Sequence, residues 1–473
     1  MSETTEVVIV GAGPTGLTAA VRLAQLGVPH VVLDAAEAPS RTSKAALVHA
    51  SSLEVLGELG VAEALVAAGQ RLHSIVMVDR GRRLVRVRLT ELPTRYPFGL
   101  SVPQSTTEAL MIDELTRLGG SVRRRHRVHT VYADGDGHVV TGTAEDGSPF
   151  QLKARYVIGA DGAHSAVRAA IGLDFPGQTY SAQFVLADVA LDAAGLRDDQ
   201  ATIVLSPHGV TVLGRLPSGN HRIIATVDAG VDVPEAPDRA YVDGLLRTRG
   251  VGARTTADPV WSSRFRIHHR VADRFRVGGV FLAGDAAHIH SPAAGQGMNT
   301  GIADAYDVAT CVAAVIAGAA ESTLEAYAER RRAAALEVLR FTDRMTRMAM
   351  LRNPVARAAR LALANSVGRL GPVQRRIALW VTGLERSPLR GDLPDAQPCG
   401  ARVIRPSGAP SSSRSSSSFS PHRASSSVAA GSTATLSRQP PNRSSSAPPS
   451  RPRPSSPMRT VSADGSGPAS VRV

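Results

Sequence analysis

Glu6 to Asp34 reads EVVIVGAGPTGLTAAVRLAQLGVPHVVLD, and its punctuation decides the fold. A β-branched run, Glu6 to Val10, feeds Gly11-Ala12-Gly13-Pro14-Thr15-Gly16, after which Leu17, Ala20, Val21 and Ala24 recur at helical spacing. Gly27 closes that helix, and His30 to Leu33 opens a second strand that stops at Asp34. Strand, glycine turn, helix, strand and acid in this order are the parts of a dinucleotide-binding unit. Gly11 permits the turn, Gly13 lets a pyrophosphate approach the backbone, and Gly16 allows close packing of helix on strand. Asp34 is placed to accept from ribose hydroxyls. A bare glycine triplet also occurs in other βα turns, but the strand, helix and acid around this one argue against that reading.

Far along the chain, Val280 to Ala305 reads VFLAGDAAHIHSPAAGQGMNTGIADA. A short apolar run ends at Gly284-Asp285, and a loop through Pro292 leads to a glycine-rich helix start, Gly295-Gln296-Gly297-Met298-Asn299. This is a strand end presenting a carboxylate, followed by helix-start N–H groups free to meet an anion. A third such edge is Ala154 to Ala160, a strand running into Asp161-Gly162 and a helix that carries Ser165 and Arg168.

Between these stretches the sequence is less explicit. Arg41 and Lys44 suit either a pyrophosphate, an incoming nicotinamide cofactor, or plain solvated charge. Gln104 opens a helix whose Leu110, Ile112 and Leu115 are expected to face inward; it suits either a hydrogen bond on the flavin side of a cofactor or an ordinary helix start. Ile75 to Arg88 alternates around Gly81 and reads as a β excursion, about residues 73–102, into a second sheet. From Gly172 to about Arg276, Val and Ile cluster in short runs separated by turns, the pattern of an antiparallel sheet with one helix at Tyr241 to Leu246.

The expected fold is α/β: a Rossmann-like dinucleotide domain with an inserted α+β substrate domain, a helical segment and a disordered tail. Its expected boundaries are 1–172 for the first part of the nucleotide domain, 173–276 for the substrate domain, 277–395 for the completion and helical region, and 396–473 for the tail.

The 473 residues carry a formal charge of +13, which suggests nucleic acid or membrane until its distribution is examined. From Ala401 onward ten arginines face one acid, Asp464, so the tail holds nine of those charges and +4 remains for everything before it. Neither a nucleic-acid partner nor a membrane span is expected. The longest apolar run, Val308 to Ala320, is shorter than the roughly 18 residues that cross a bilayer. Two cysteines, Cys311 and Cys399, make no disulfide framework, the amino terminus does not read as a signal peptide, and cytoplasm is the expected location. No metal site is expected.

GAGPTG with Asp34, Asp161-Gly162 and Gly284-Asp285 stand in an order and spacing that resemble the single-component flavoprotein aromatic hydroxylases, the para-hydroxybenzoate hydroxylase family. The likeness is greatest to its bacterial branch acting on phenols and aromatic polyketides, and it runs from residue 4 to about 390. The resemblance implies FAD as cofactor, with Gly11, Gly13, Gly16 and Asp34 on its ADP half. It implies that Asp161, Gly162 and Arg168 serve FAD and the nicotinamide cofactor, and that Gly284 and Asp285 meet the ribityl or pyrophosphate region. Pro292 would border the reaction site, and Gly295, Gly297, Met298 and Asn299 would lie under the pyrimidine edge of the ring. The implied activity is hydroxylation of a phenolic or polyketide-derived ring, using NADPH or NADH, O2 and a flavin C4a-hydroperoxide. A single dinucleotide fingerprint fits a nicotinamide that docks transiently.

No catalytic base stands out: His49, His268, His269, His288 and His290 are candidates for deprotonating a phenol, but a lone histidine is more often structural. Baeyer-Villiger oxygen insertion and an inactive FAD-binding remnant remain as alternative functions. The sequence does not separate a monomer from a homodimer. The family commonly continues into a thioredoxin-like domain, and Pro398-Cys399-Gly400-Ala401-Arg402 looks like its beginning before the pattern dissolves into Ser, Arg and Pro. With only two lysines in the chain, Lys44 and Lys153, the tail reads as an out-of-frame product of a GC-rich gene; a native basic disordered tail is the competing reading.

Overall fold

A computed structural model describes residues 3–40, 45–193, 195–291, 293–349 and 370–390, with isolated positions between 353 and 366. The Ser/Arg/Pro tail, and with it the out-of-frame reading, lies outside the described residues, as do Arg41, Lys44 and Pro292.

The fingerprint forms β1 (Glu3–Val10), α1 (Pro14–Gln25) and β2 (His30–Leu33). Further along come α2 (Ala50–Glu58) and the hairpin β3 (Ser74–Asp79) and β4 (Arg82–Arg88), then β5 (Pro149–Gly159). In the first sheet β1 sits between β2 and β5, both parallel to it. Val280–Leu282 returns as β11, parallel to the far side of β5, so the run that leads to Gly284-Asp285 lies in the same sheet as the fingerprint strand. Strands Arg127–Asp134 and Gly137–Thr143 extend that sheet antiparallel from β5. Parallel strands covered on both faces read as unbroken Val/Ile runs, and Val7, Val8 and Ile9 are fully buried.

A second eight-stranded sheet carries β6 (Gly177–Val189), β7 (Gln200–Ser206), β8 (Gly209–Arg215), β9 (His221–Val227) and β10 (Trp261–Val271). Its order is His288–Ile289, β10, β6, β9, β8, β7, β3, β4, antiparallel throughout except for β3 beside β7. Alternation assigns its faces. Val185, Ala187, Ile223, Ala225, Leu213 and Val204 pack on α3 (Arg239–Thr248). Register puts Leu186, Ile224, Val212, Ile203 and Met77 in one row on the opposite face. On that face Ile75, Val85 and Val87 meet Ala50 of α2 and Ala378 of a late helix.

The later part of the described chain is largely helical, with α4 (Gln296–Ile316), α5 (Ser322–Ala349) and α6 (Gly371–Val381). The apolar run Val308 to Ala320 is buried in α4 as far as Val315 and leaves the helix after Ile316, and among the described residues no helix is long and apolar enough to cross a membrane.

Some local expectations shift. The excursion is split: β3 and β4 join the second sheet, while Gly99–Ser101 pairs with Leu47–Val48 and Gln70–Leu72 in a separate three-stranded sheet. In helix Gln104–Arg117 the buried side chains are Thr107, Glu108, Met111 and Leu115; Leu110 and Ile112 are only partly covered. Residues 107, 108, 111 and 115 are one i, i+4 stripe, and hydropathy alone had hidden its two polar members.

Candidate functional site

Val10, Leu33, Gly159 and Leu282 are register partners, so four parallel strands end in one row. The residues just beyond that row are the sequence candidates: Gly11, Asp34, Asp161 with Gly162, and Gly284 with Asp285. The carboxyl edge of a parallel sheet is where α/β folds bind ligands.

At the first end of this edge, space decides the glycines. Gly11 has φ +101, and a Cβ there would sit 2.3 Å from the Ala160 carbonyl oxygen; a Cβ on Gly16 would sit 1.8 Å from the Gly11 carbonyl oxygen. Around Gly13 a Cβ would meet nothing within 4 Å, so its face is open toward the first turn of α1. That turn has N–H groups without intrahelical partners. Asp34 is already engaged: Ala12 N–H donates to Oδ2 at 2.6 Å and Ala36 N–H to Oδ1 at 2.7 Å, with Arg124 3.6 Å away. A carboxylate has lone pairs to spare for a hydroxyl after these, so Asp34 both holds the turn and faces the edge.

In the middle, Val167 N–H donates to Asp161 Oδ2 at 3.1 Å, while Oδ1 is buried without a partner. Burial raises the Asp161 carboxyl, against the pull of Ser165 and the backbone N–H groups. Arg168 turns inward: it donates to the Ala286 and Ala163 carbonyls at 2.8 and 2.9 Å and lies 3.9 Å over the Phe175 ring. Its guanidinium ties the Asp161 loop to the Gly284 turn.

At the other end, Gly284 (φ +61) and Gly301 both make room for Thr15 of the fingerprint, whose Oγ1 would be 2.5 and 2.4 Å from a Cβ on either. Two stretches almost 270 residues apart thus close on one threonine. Behind the turn lies a residue the sequence reading passed over. Asp304, fully buried, accepts from Gly284 N–H (3.1 Å), His288 Nε2–H (2.7 Å) and Arg331 Nε–H (2.7 Å). Burial pushes its carboxyl up, but Arg331 and His288 outweigh that and hold it below the usual range. Asp285, by contrast, is exposed.

The α4 start is unusual backbone. Ala294 (φ 64, ψ 15) and Gly295 (φ 62, ψ 34) are consecutive left-handed residues. Such strain in a non-glycine persists only where surroundings enforce it. The enforcement is visible: His49 Nε2–H donates to the Ala294 carbonyl at 2.8 Å, and Asn299 Nδ2 donates to the Gly295 and Leu47 carbonyls at 2.7 and 2.8 Å. His49 N–H in turn donates to Asn299 Oδ1 at 2.8 Å. The Asn299 amide is therefore occupied in pinning the turn, and what the helix start offers a ligand is its backbone N–H groups. A Cβ on Gly297 would lie 4.0 Å from the His290 ring, and Met298 packs partly against the core. Gln104 donates to Glu108 at 2.8 Å and lies at the start of its own helix.

Four of the five candidate histidines have partners or neighbours that define them: His49 is committed to the turn and burial lowers it to about 4. His268 is paired with Thr179, and His288 with Asp304. His290 stacks parallel to His288 at 5.8 Å, its Nδ1 faces the Ser291 carbonyl, its Nε2 has no partner, and burial followed by the His288 neighbour brings it to about 4.

The residues present fit a flavin dinucleotide: an open glycine face at one helix start, acids along the edge, and a second helix start at the far end. A glycine fingerprint and a Gly-Asp turn at the ends of one set of parallel strands, beside a second, largely antiparallel sheet, define a dinucleotide-binding α/β protein with a second domain. The chain belongs to the family described as "FAD binding domain", whose model matches residues 4–342. It is 37% identical over 377 residues to the 6-methylpretetramide 4-monooxygenase of Streptomyces rimosus, covering 79% of this chain and 67% of that protein. It is 35% identical to the rifampicin monooxygenase of Streptomyces venezuelae, over 76% of this chain and 75% of the other. The crystal structure of p-nitrophenol 4-monooxygenase from Pseudomonas putida superposes with a TM-score of 0.73 at 28% identity, covering 81% of this chain and 98% of that one. The protein is a flavin-dependent aromatic monooxygenase with the α/β architecture of that group.

Proposed function

We propose that this protein hydroxylates a phenolic or polyketide-derived aromatic substrate, with FAD as cofactor, NADPH or NADH as electron donor and O2 as co-substrate, in an antibiotic-type biosynthetic setting. The observation that carries the reading is the single row of strand ends that gathers Gly13, Asp34, Asp161 and Asp285 between two helix starts. When bound, the flavin supplies the redox chemistry, taking electrons from the nicotinamide and activating O2.

The chain's own residues bind and orient. The α1 start, Gly13 and Asp34 take the ADP half, and Asp285 takes the hydroxyl-bearing chain. The α4 start lays N–H groups and partial positive charge against the edge of the ring that becomes negative on reduction. The half-buried row Ile224, Val212, Ile203 and Met77 shares its sheet face with Ile75, Val85 and Val87, which meet α2, and would give a flat ring an apolar wall that excludes water. We assign residues 1–172 and 277–395 to the FAD-binding domain, apart from the excursion near 73–102 that joins the substrate domain, and 173–276 to the substrate domain. The expected location is cytoplasmic, where NAD(P)H is at hand.

Purified protein should be yellow, and a panel of phenols, p-nitrophenol among them, should accelerate NAD(P)H oxidation with one oxygen atom recovered in a ring hydroxyl. FAD bound with no acceleration by any aromatic compound sinks the hydroxylase reading. Recovery of an ester or lactone from a ketone would instead favour oxygen insertion.

A further inference from the structure

The family match ends at residue 342, yet the described chain continues into a strap of α6 and two short turns, Leu384–Arg386 and Pro388–Arg390. The strap is bonded to both sides of the candidate ring site. Ser51 N–H of α2 donates to the Thr382 carbonyl at 3.2 Å, and Gln296 Nε2, on the first residue of α4, donates to the Val381 carbonyl at 2.8 Å. Gly383 (φ +73) has no room for a side chain: a Cβ would lie 2.6 Å from Ser51 Oγ. Further on, Arg390 donates to Glu54 at 3.0 Å.

Arg386 is the centre of this strap. Its backbone carbonyl accepts from Arg331 Nη1 at 3.3 Å, and Arg331 is the cation that holds Asp304 behind the Gly284 turn. Its guanidinium donates to the Trp380 carbonyl at 2.9 Å, reaches Glu337 at 3.4 Å, and lies 4.1 Å over the Trp380 ring. The same Nη2 is 3.5 Å from Gln296 Oε1. Trp380 is in turn fixed to α5 by Nε1–H donating to Glu337 at 2.6 Å. One residue outside the family-matched segment therefore touches the supports of both the Gly284–Asp285 turn and the first residue of α4, in addition to the direct tie that Asp304, two turns into α4, makes to Gly284 N–H.

We propose that Arg386 is a positioning residue for the flavin ring, setting the Gly284–Asp285 turn and the start of α4 in fixed relation to each other. This rests on the reading that those two segments hold the ring and its hydroxyl-bearing chain. A side chain locked by packing and by partners behind the binding surface is what fixes such a surface to within fractions of an ångström. Losing the guanidinium removes its bond to the Trp380 carbonyl and its contact with Gln296 Oε1, and this loosens the strap against the start of α4, where the N–H groups would meet the ring.

The test uses the full chain. Apoprotein carrying Arg386→Gln is titrated with FAD, and the midpoint potential of the bound flavin is measured at saturating FAD. The expected result is a dissociation constant raised about tenfold, the scale of one lost bond to a charged group. The potential should shift in the negative direction, and kcat for NAD(P)H oxidation should fall with KM for the aromatic compound unchanged. A variant with a lower melting temperature but an unchanged dissociation constant and potential has lost only structure, and overturns the proposal. If Arg386→Gln does not fold, Gln296→Met cuts the same link from the other side. It should raise the dissociation constant about threefold; no change overturns the proposal. A parent protein that takes up no FAD overturns the flavin reading and this proposal with it, whereas a parent that binds beside a variant of equal affinity overturns the proposal alone.

Discussion

The two ends of the candidate cofactor edge are built on different physics. At the fingerprint end, shape does the holding: missing side chains at Gly11 and Gly16 let backbone pack on backbone, and the one carboxylate, Asp34, stays near the surface. At the Gly284 end, buried charge does the holding: Asp304, His288 and Arg331 form a sealed cluster that the exposed Asp285 rests upon. The first end tolerates loss of charge and resists added volume. The second tolerates little loss of charge at all.

Asp304→Ala is the severest way to break that contrast. It leaves Arg331 buried without its carboxylate, and urea unfolding should show a loss of about 3–5 kcal/mol. An equal loss from Asp34→Ala would mean that the two ends are held alike.

Acid should probe the same asymmetry. His49 and His290 have folded pKa values of about 4, depressed by burial from an ordinary 6.5. The unfolded chain therefore binds more protons than the folded one between those values. Stability is intact above about pH 6.5 and falls as pH drops toward 4, by at most about 3 kcal/mol for each histidine. Thermal melts from pH 7 to 4.5 should show the decline, and a His49→Gln, His290→Gln protein should flatten it.

Volume tests the fingerprint end. Gly11→Ala forces a side chain into φ +101 and against the Ala160 carbonyl, so apoprotein stability should fall by about 2 kcal/mol. Gly13→Ala, at φ −77 in open space, should leave apoprotein stability within about 0.5 kcal/mol, because the position is free of contacts and its backbone suits alanine. Its FAD affinity should still drop at least about tenfold if the pyrophosphate lies there. The smallest expected effect is at Ala294, where glycine relieves left-handed strain. Ala294→Gly should stabilise by under about 1 kcal/mol in the same unfolding assay.

The same contrast explains what could be read in advance. Shape-based features leave local marks, because glycines, strand and helix must be close in sequence, so the fingerprint and the fold class were legible, and the short apolar run ending at Gly284-Asp285 marked a further strand end of the same kind. The charged cluster draws on residues 288, 304 and 331, and the strap reaches from 386 back to 296; no spacing rule connects positions so far apart. Asp304 stood in the quoted stretch as one acid in a helix, and only its three donors give it a role. The helix-start motif was legible as a ligand site, but the occupation of Asn299 by Leu47, His49 and Gly295 depends on a loop from the other end of the chain. Arg41 and Pro292 lie outside the described residues, so they stay as expectations.

The central claim is that the row of strand ends holds FAD by exposed groups resting on a buried frame, and Asp285→Ala tests it most directly. In a titration of apoprotein with FAD, followed by flavin fluorescence, the account predicts an affinity at least about tenfold weaker than the parent with an unchanged unfolding midpoint. A variant that keeps FAD as tightly as the parent would contradict it.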